Sequence, residues 1–346
     1  MDVLIREGKV QSAAADASGK RRRASWWRWA VSLAVFVIVL RWIDLDDFQS
    51  ALSLLRWWAL LLGFVFLTVA LVLFRALRLW LFLRAQGCPI RFGKTCNIQW
   101  AGLFFGLFLP GTLGTDAWRV WAISQSEGQI EGALAAIAMD RVVGFVGLIA
   151  TVLLAWAIYG GTWSGLEAGG ILLGAGLFCV ALLTGFGLLS SPRVTGSLTR
   201  LPVLRTRKVK EVLSGVQASL LLLRRRSGWL LIIFGITIAG HVVNICAVFV
   251  LARGIGVGLG FGYYLALIPL VFVAAGLPIS FSGLGVRDLT YVSIFQRLGV
   301  PAEIMLAVSV AEFGLTLLIR LLGGLFYMFS GGDAAAAGVD KSQEPA

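Results

Sequence analysis

The stretch "FLPGTLGTDAWRVWAI", Phe108 to Ile123, decides how this chain folds. It sets Pro110, Gly111, Gly114, Asp116 and Arg119 inside one of the most hydrophobic regions of a very hydrophobic protein. Proline removes a backbone donor and clashes with the preceding turn, and glycine weakens a helix interior. A helix should therefore not run straight through, and the break leaves an acid and a base in the gap.

The composition says what surrounds that break. Of 346 residues, 58% are hydrophobic and only 14% are charged, against about 45–50% and about 25% in ordinary soluble domains. This is the composition of a polytopic membrane protein. Trp26-Trp27, Trp57-Trp58 and Trp80 stand at the ends of apolar runs, as interfacial aromatic belts do. The formal charge is +12, but the bases cluster in loops between apolar runs, where cytoplasmic retention and anionic head groups account for them. No basic soluble domain is present to hold nucleic acid, so none is expected as a partner. Cys88, Cys96, Cys179 and Cys246 show no metal-ligand spacing, and His241 is the single histidine. Neither a metal nor a cofactor is expected.

A helix needs about 20 apolar residues to cross the hydrocarbon core. Uninterrupted candidates are Trp26 to Ile43, Trp57 to Trp80, Ala133 to Tyr159, Leu166 to Leu189, Trp229 to Leu251 and Ile304 to Phe329. Two further apolar regions are interrupted. Ile98 to Ile123 breaks at "PGTLGTD", and Tyr263 to Leu298 breaks at "LPISFSGLGVRD", which contains Pro278, Gly283 and Gly285. "KRRR", Lys20 to Arg23, resembles the start of a signal peptide, but no small-residue cleavage site follows, so the first run reads as a retained span.

Charge then orients the spans. The tail to Ser25 holds six Lys/Arg against three acids, and the loop Ser190 to Gly228 holds nine against Glu211 alone. Both belong in the cytoplasm, whereas "IDLDD" at Ile43 to Asp47 belongs outside. Two full spans separate Ser124–Gly132 from the basic loop, so that linker is cytoplasmic too. The first broken segment thus starts and ends on one side and reads as a re-entrant hairpin. The second, after the external "GIGVGLGFG" at Gly254 to Gly262, dips from the opposite side. The expected fold is all-α, with about six full transmembrane helices, two oppositely oriented re-entrant hairpins and an inverted repeat. Residues 1–25 form a cytoplasmic basic tail, 26–329 the transmembrane domain and 330–346 a disordered cytoplasmic tail. Both termini are cytoplasmic. The segment Lys208 to Arg226 reads as an amphipathic helix along the inner head groups.

The broken segments carry the chemistry. Asp116 reads as the N-cap of the ascending half-helix, whose free N–H groups attract an anion. Arg119 follows one turn on, on the same face. The competing reading is an Asp116–Arg119 pair that only fastens the hairpin. Asp140, Arg141, Arg75 and Arg78 converge at a similar depth, and intramembrane charges mark functional sites by default. Snorkelling competes for Arg78, Arg84 and Arg320. On the opposite side stand Arg287, Asp288 and Glu312. His241 and Asn244 read as interhelical hydrogen-bonding glue.

Three stretches carry a resemblance: "FLPGTLGTDAWRVWAI", "AMDRVVGFVGL" (Ala138 to Leu148) and "GLPISFSGLGVRDL" (Gly276 to Leu289). Their order and spacing resemble the transmembrane, flippase-like domain of lysylphosphatidylglycerol synthases over Trp26 to Phe329. Thr115 departs from the family's usual Gly-Gly-Asp, and Asp288 from its usual Glu. Only a short tail follows Phe329, so the resemblance implies a stand-alone module without the aminoacyl-transferase domain. It implies a plasma (inner) membrane protein that moves or binds anionic phospholipids, or lipid-linked polyprenyl-phosphate intermediates, between leaflets. Arg119, Arg141 and Arg287 would hold the phosphate, and Asp116, Asp140, Asp288 and Glu312 would orient or release it. No P-loop is present, so movement would be passive or ion-coupled, with Glu312 as the proton carrier. The reading favours a transporter over an enzyme. The alternatives are a glycosyltransferase, or its accessory subunit, acting on polyprenyl-phosphate sugars with Asp116 or Asp140 as base, and a scaffold for a partner lipid-modifying enzyme.

Overall fold

The structure is a computed structural model that describes residues 49–50, 53–88, 90–108, 113–127, 130–159, 184, 227–276 and 285–329. Among them the chain is helical, with no strand. Eight helices follow in order: α1 (Trp57–Ala85), α2 (Phe92–Phe105), α3 (Leu113–Glu127), α4 (Ile130–Tyr159), α5 (Ser227–Ile255), α6 (Phe261–Gly276), α7 (Val286–Gln296) and α8 (Ala302–Phe329). α1, α4, α5 and α8 are each long and apolar enough to cross a membrane. The expected spans Trp26–Ile43 and, apart from Thr184, Leu166–Leu189, the basic loop 190–226 and the tail 330–346 lie outside the described residues.

The four long helices turn apolar side chains outward. Leu61, Leu62 and Val65 on α1, Leu153 and Leu154 on α4, Leu231 and Ile232 on α5, and Leu318, Leu321 and Leu325 on α8 are all exposed. In water that surface would drive aggregation; in lipid it is the correct solvent face. This is an all-α, polytopic membrane protein.

The two interrupted regions are pairs of short helices. α2 and α3 have 14 and 15 residues, and α6 and α7 have 16 and 11, each short of the about 20 that a span requires. Arg78, towards the end of α1, meets Asp140 in the first part of α4, so the pair α2/α3 that lies between them in the chain leaves and regains one end of the bundle. The pair α6/α7 does the same at the other end, between α5 and α8. Each half of the chain is thus a long helix, a hairpin of two short helices and a second long helix.

Packing shows that the halves run in opposite directions. The amide of Arg56, just before α1, donates to the carbonyl of Gly254 near the end of α5 at 3.4 Å. Gly63 faces Leu251, while Phe74, far along α1, meets Gly240. The corresponding helices α1 and α5 are therefore antiparallel. Small residues let them approach: a Cβ on Gly254 would stand 2.3 Å from that of Ala59. Close approach through glycine is the usual basis of helix association in lipid, where dispersion replaces the hydrophobic effect.

The first hairpin is closed by aromatic stacking and by a backbone contact. The rings of Phe105 on α2 and Trp118 on α3 stack at 4.2 Å, with Tyr327 of α8 edge-on to both. Gly114, expected within the break, lies inside the first turn of α3, where a Cβ would meet the Phe105 carbonyl oxygen at 2.3 Å. Gly114→Ala should lower the stability of the detergent-purified protein by about 1–3 kcal/mol, the usual cost of overpacking against backbone. Gly258→Ala, which meets nothing within 4 Å, should leave the melting midpoint unchanged. Equal midpoints for both variants would contradict the hairpin packing.

Candidate functional site

Charged side chains from α1, α3 and α4 meet where the first hairpin enters the bundle. α1 carries a π-helical stretch, Val69–Phe74, immediately before Arg75. Such turns insert an extra residue and frequently mark functional sites. Gln99 on α2 donates its Nε2 to the carbonyl of Leu71 within that stretch at 2.7 Å. Its Oε1 accepts from the guanidinium of Arg119 on α3. One neutral side chain therefore ties the π turn to the hairpin arginine.

Asp140, on α4 and buried, is the centre of the network. Arg78 donates Nε to its Oδ1 at 2.5 Å, and Arg119 donates Nη1 to its Oδ2 at 3.4 Å. Asp116 receives Arg119 at 3.5 Å and Arg141 at 2.7 Å. Gly144, one turn beyond Asp140, leaves room for Arg78, whose guanidinium would stand 3.3 Å from an added Cβ. His241 Nε2 lies 3.0 Å from the Gly144 carbonyl and joins α5 to α4, the interhelical bond its sequence position suggested.

The second hairpin carries its own cluster. Gly285 adopts φ +79°, a conformation that favours glycine, and its amide donates to Asp288 Oδ2 at 3.0 Å. Arg287 donates to Asp288 Oδ1 at 2.9 Å and to the Ser309 carbonyl at 3.0 Å. Its guanidinium lies 5.2 Å from the ring centroid of Phe313. Tyr291 donates its hydroxyl to Glu312 at 2.8 Å.

Both clusters border one cavity of about 250 Å³. Its charged lining is Arg75, Arg78, Arg119, Arg141, Arg287 and Arg320, with Asp140 and Glu312 as the only carboxylates among the described residues. Arg119, Arg141, Arg287, Asp140 and Glu312, proposed from sequence, all line it. Asp116 and Asp288 do not; they stand behind, holding arginines. Sequence position put Arg287 and Glu312 on the side opposite Arg119, yet the oppositely directed hairpins bring the two groups to a shared space.

Several expectations change. Asp116 is not an N-cap: α3 begins at Leu113, and two arginines occupy the carboxylate. Arg78 does not snorkel; it is buried against Asp140. Arg320 lines the cavity rather than lying at the surface. Arg84 is exposed, over the ring of Trp80 at 4.8 Å. Pro110, Gly111, Pro278 and Gly283 lie outside the described residues. Sequence reasoning missed Gln99, Tyr291 and Ser309. Gln99 could have been flagged as a lone amide in the run "IQWAGLFF"; nothing distinguished Tyr291 or Ser309.

The inverted repeat also reaches single residues. The same interval separates Asp116 from Asp288, Arg119 from Tyr291 and Asp140 from Glu312. The bond from Arg119 to Asp140 in one half thus corresponds to that from Tyr291 to Glu312 in the other.

The profile of the family described as Lysylphosphatidylglycerol synthase TM region matches residues 26–324. The chain belongs to this family. No curated protein matches it. The match takes in both hairpins and the cavity between them. Where Thr115 stands in place of the family's usual glycine, Gly102 of α2 and Gly106 just after it face it and leave it room.

Removing one partner from a buried ion pair leaves an uncompensated charge, at a cost of about 3–5 kcal/mol. Asp140→Asn should therefore strongly reduce the yield and melting midpoint of the folded protein. Arg84→Ala, at an exposed site, should cost less than about 1 kcal/mol. Comparable midpoints for the two variants would remove Asp140 from the centre of the network.

Proposed function

We propose that this protein moves anionic lipids, either phospholipids or polyprenyl-phosphate-linked intermediates, between the leaflets of the plasma membrane. The observation that carries this reading is the cavity itself. It is bordered by two oppositely directed hairpins and lined by six arginines against two carboxylates. Arginine matches phosphate oxygens in a fixed, bidentate geometry. A head group could be held there while its tails stay in lipid against the apolar outer faces. Membership in a family described by a lipid-modifying synthase agrees with a lipid substrate.

The first-hairpin end, with Arg84, Arg91 and Lys94 nearby, is the cytoplasmic one by the positive-inside rule. The second-hairpin end faces outward. Antiparallel halves of this kind suit alternating access, in which one half rocks against the other around a central site. A glycosyltransferase role draws no support from the geometry, because Asp140 and Asp116, the candidate bases, are both held by arginines.

Scrambling of fluorescent phosphatidylglycerol in proteoliposomes tests the reading. The protein should expose label from the inner leaflet to a membrane-impermeant quencher, and protein-free vesicles should not. Losing a charge-assisted hydrogen bond costs about 1.5–3 kcal/mol. Arg141→Ala, the most exposed of the three phosphate candidates, should therefore slow scrambling by about tenfold or more, with melting midpoints measured alongside. Protein-dependent quenching no faster than in empty vesicles would remove lipid movement as the function. Cysteines introduced at Lys94 and Gly258 should label from opposite sides, Gly258 from outside.

A further inference from the structure

Arg75 stands apart from the other cations of the first-hairpin cluster. Arg78, Arg119 and Arg141 each meet a carboxylate. The Arg75 side chain has neither an ion pair nor a hydrogen bond among the described residues, although it is half-buried and lines the cavity. Its electrostatic neighbours include Arg119, Arg141, Arg78 and Asp140. Four guanidinium groups are therefore gathered against two carboxylates, Asp140 and Asp116, and both of these are engaged. Like charges brought together inside a membrane repel strongly, because the surrounding dielectric is low. The second-hairpin side carries no such excess: Arg287 meets Asp288, with Glu312 beside it.

We propose that Arg75 is the anion-receiving residue of the cavity, and that the site selects phospholipid head groups of net negative charge over neutral or cationic ones. The inference rests on the lipid-binding reading above and adds its charge selectivity. A phosphate seated between Arg75 and the Arg119–Asp140 network neutralises the surplus on the first-hairpin side. A second, positively charged group on the same lipid, such as an aminoacyl ammonium, restores the surplus and is rejected. The π turn before Arg75 contributes by rotating α1, so that this side chain and Arg78, one turn further on, face the same space. Gln99 holds that turn to Arg119.

Binding to the full-length chain in detergent, measured by fluorescence with labelled lipids, tests the proposal without any transport step. The probes are phosphatidylglycerol, phosphatidylcholine and lysyl-phosphatidylglycerol, with glycerol 3-phosphate as a soluble competitor. One charge-assisted hydrogen bond corresponds to about tenfold in affinity or more. Phosphatidylglycerol should thus bind at least about tenfold more tightly than either other lipid. Arg75→Gln should abolish that preference, whereas Arg75→Lys, which keeps the charge, should retain part of it. Equal affinities of the wild-type protein for the three lipids would overturn the proposal even if the glutamine variant failed to fold. So would an unchanged preference in a folded Arg75→Gln protein. Displacement of the lipid by an equimolar amount of glycerol 3-phosphate would reassign the site to a soluble phosphate ester. Since the assay has no second leaflet, charge-selective binding without scrambling would sink the transport reading and leave this one standing. Scrambling without charge selectivity would do the reverse.

Discussion

The carboxylate of Asp140 holds the first half of this protein together. It accepts from Arg78 on α1 and from Arg119 on α3 while belonging to α4, so one buried group fixes three helices at a common depth. In lipid there is no water to take over if one partner leaves, and an unpaired charge there is expensive. The hairpin α2/α3 is too short to cross the membrane and cannot anchor itself at both surfaces. Its depth is set instead by this ion pair and by the packing of Phe105, Trp118 and Tyr327.

The second half solves the same problem with different atoms. Glu312 takes the place of Asp140 and Tyr291 that of Arg119, so a neutral donor meets the carboxylate where an arginine does in the first half. Arg287 is drawn instead to Asp288 and Ser309. An inverted repeat supplies two frameworks of one shape, and substitution then makes them chemically unequal. One side of the cavity carries an excess of cations and the other does not, so a ligand entering it meets a gradient of charge.

Much of this was legible from residue order. The long apolar runs, the two interruptions and the one-sided basic loops imply hairpins from opposite faces, and the structure has a hairpin of short helices at each end of the bundle. A proline alone would not have located the breaks, because Pro269 sits within α6 without ending it. The useful signal was proline followed by glycines and then by an acid and an arginine. The motifs around Asp116, Asp140 and Asp288 also carried the family resemblance that the profile match bears out.

What residue order by itself determined is the set of features that lipid enforces locally. A run of apolar residues must be helical to satisfy its own backbone, and a charge within it must find a partner. Which partner it finds is not local. Arg78 and Arg320 could each have reached the head groups, and only the packing of α1 against α4 and of α8 beside the cavity turned them inward. The pairing of Asp116 with Arg141, and the meeting of Arg287 and Arg119 at one cavity, likewise join residues far apart in the chain. Those contacts depend on the antiparallel docking of the two halves, decided by small residues such as Gly240 and Gly254 where α1 crosses α5. Shape complementarity between distant helices carries no periodic signature in a single sequence, so the tertiary structure alone could assemble the site.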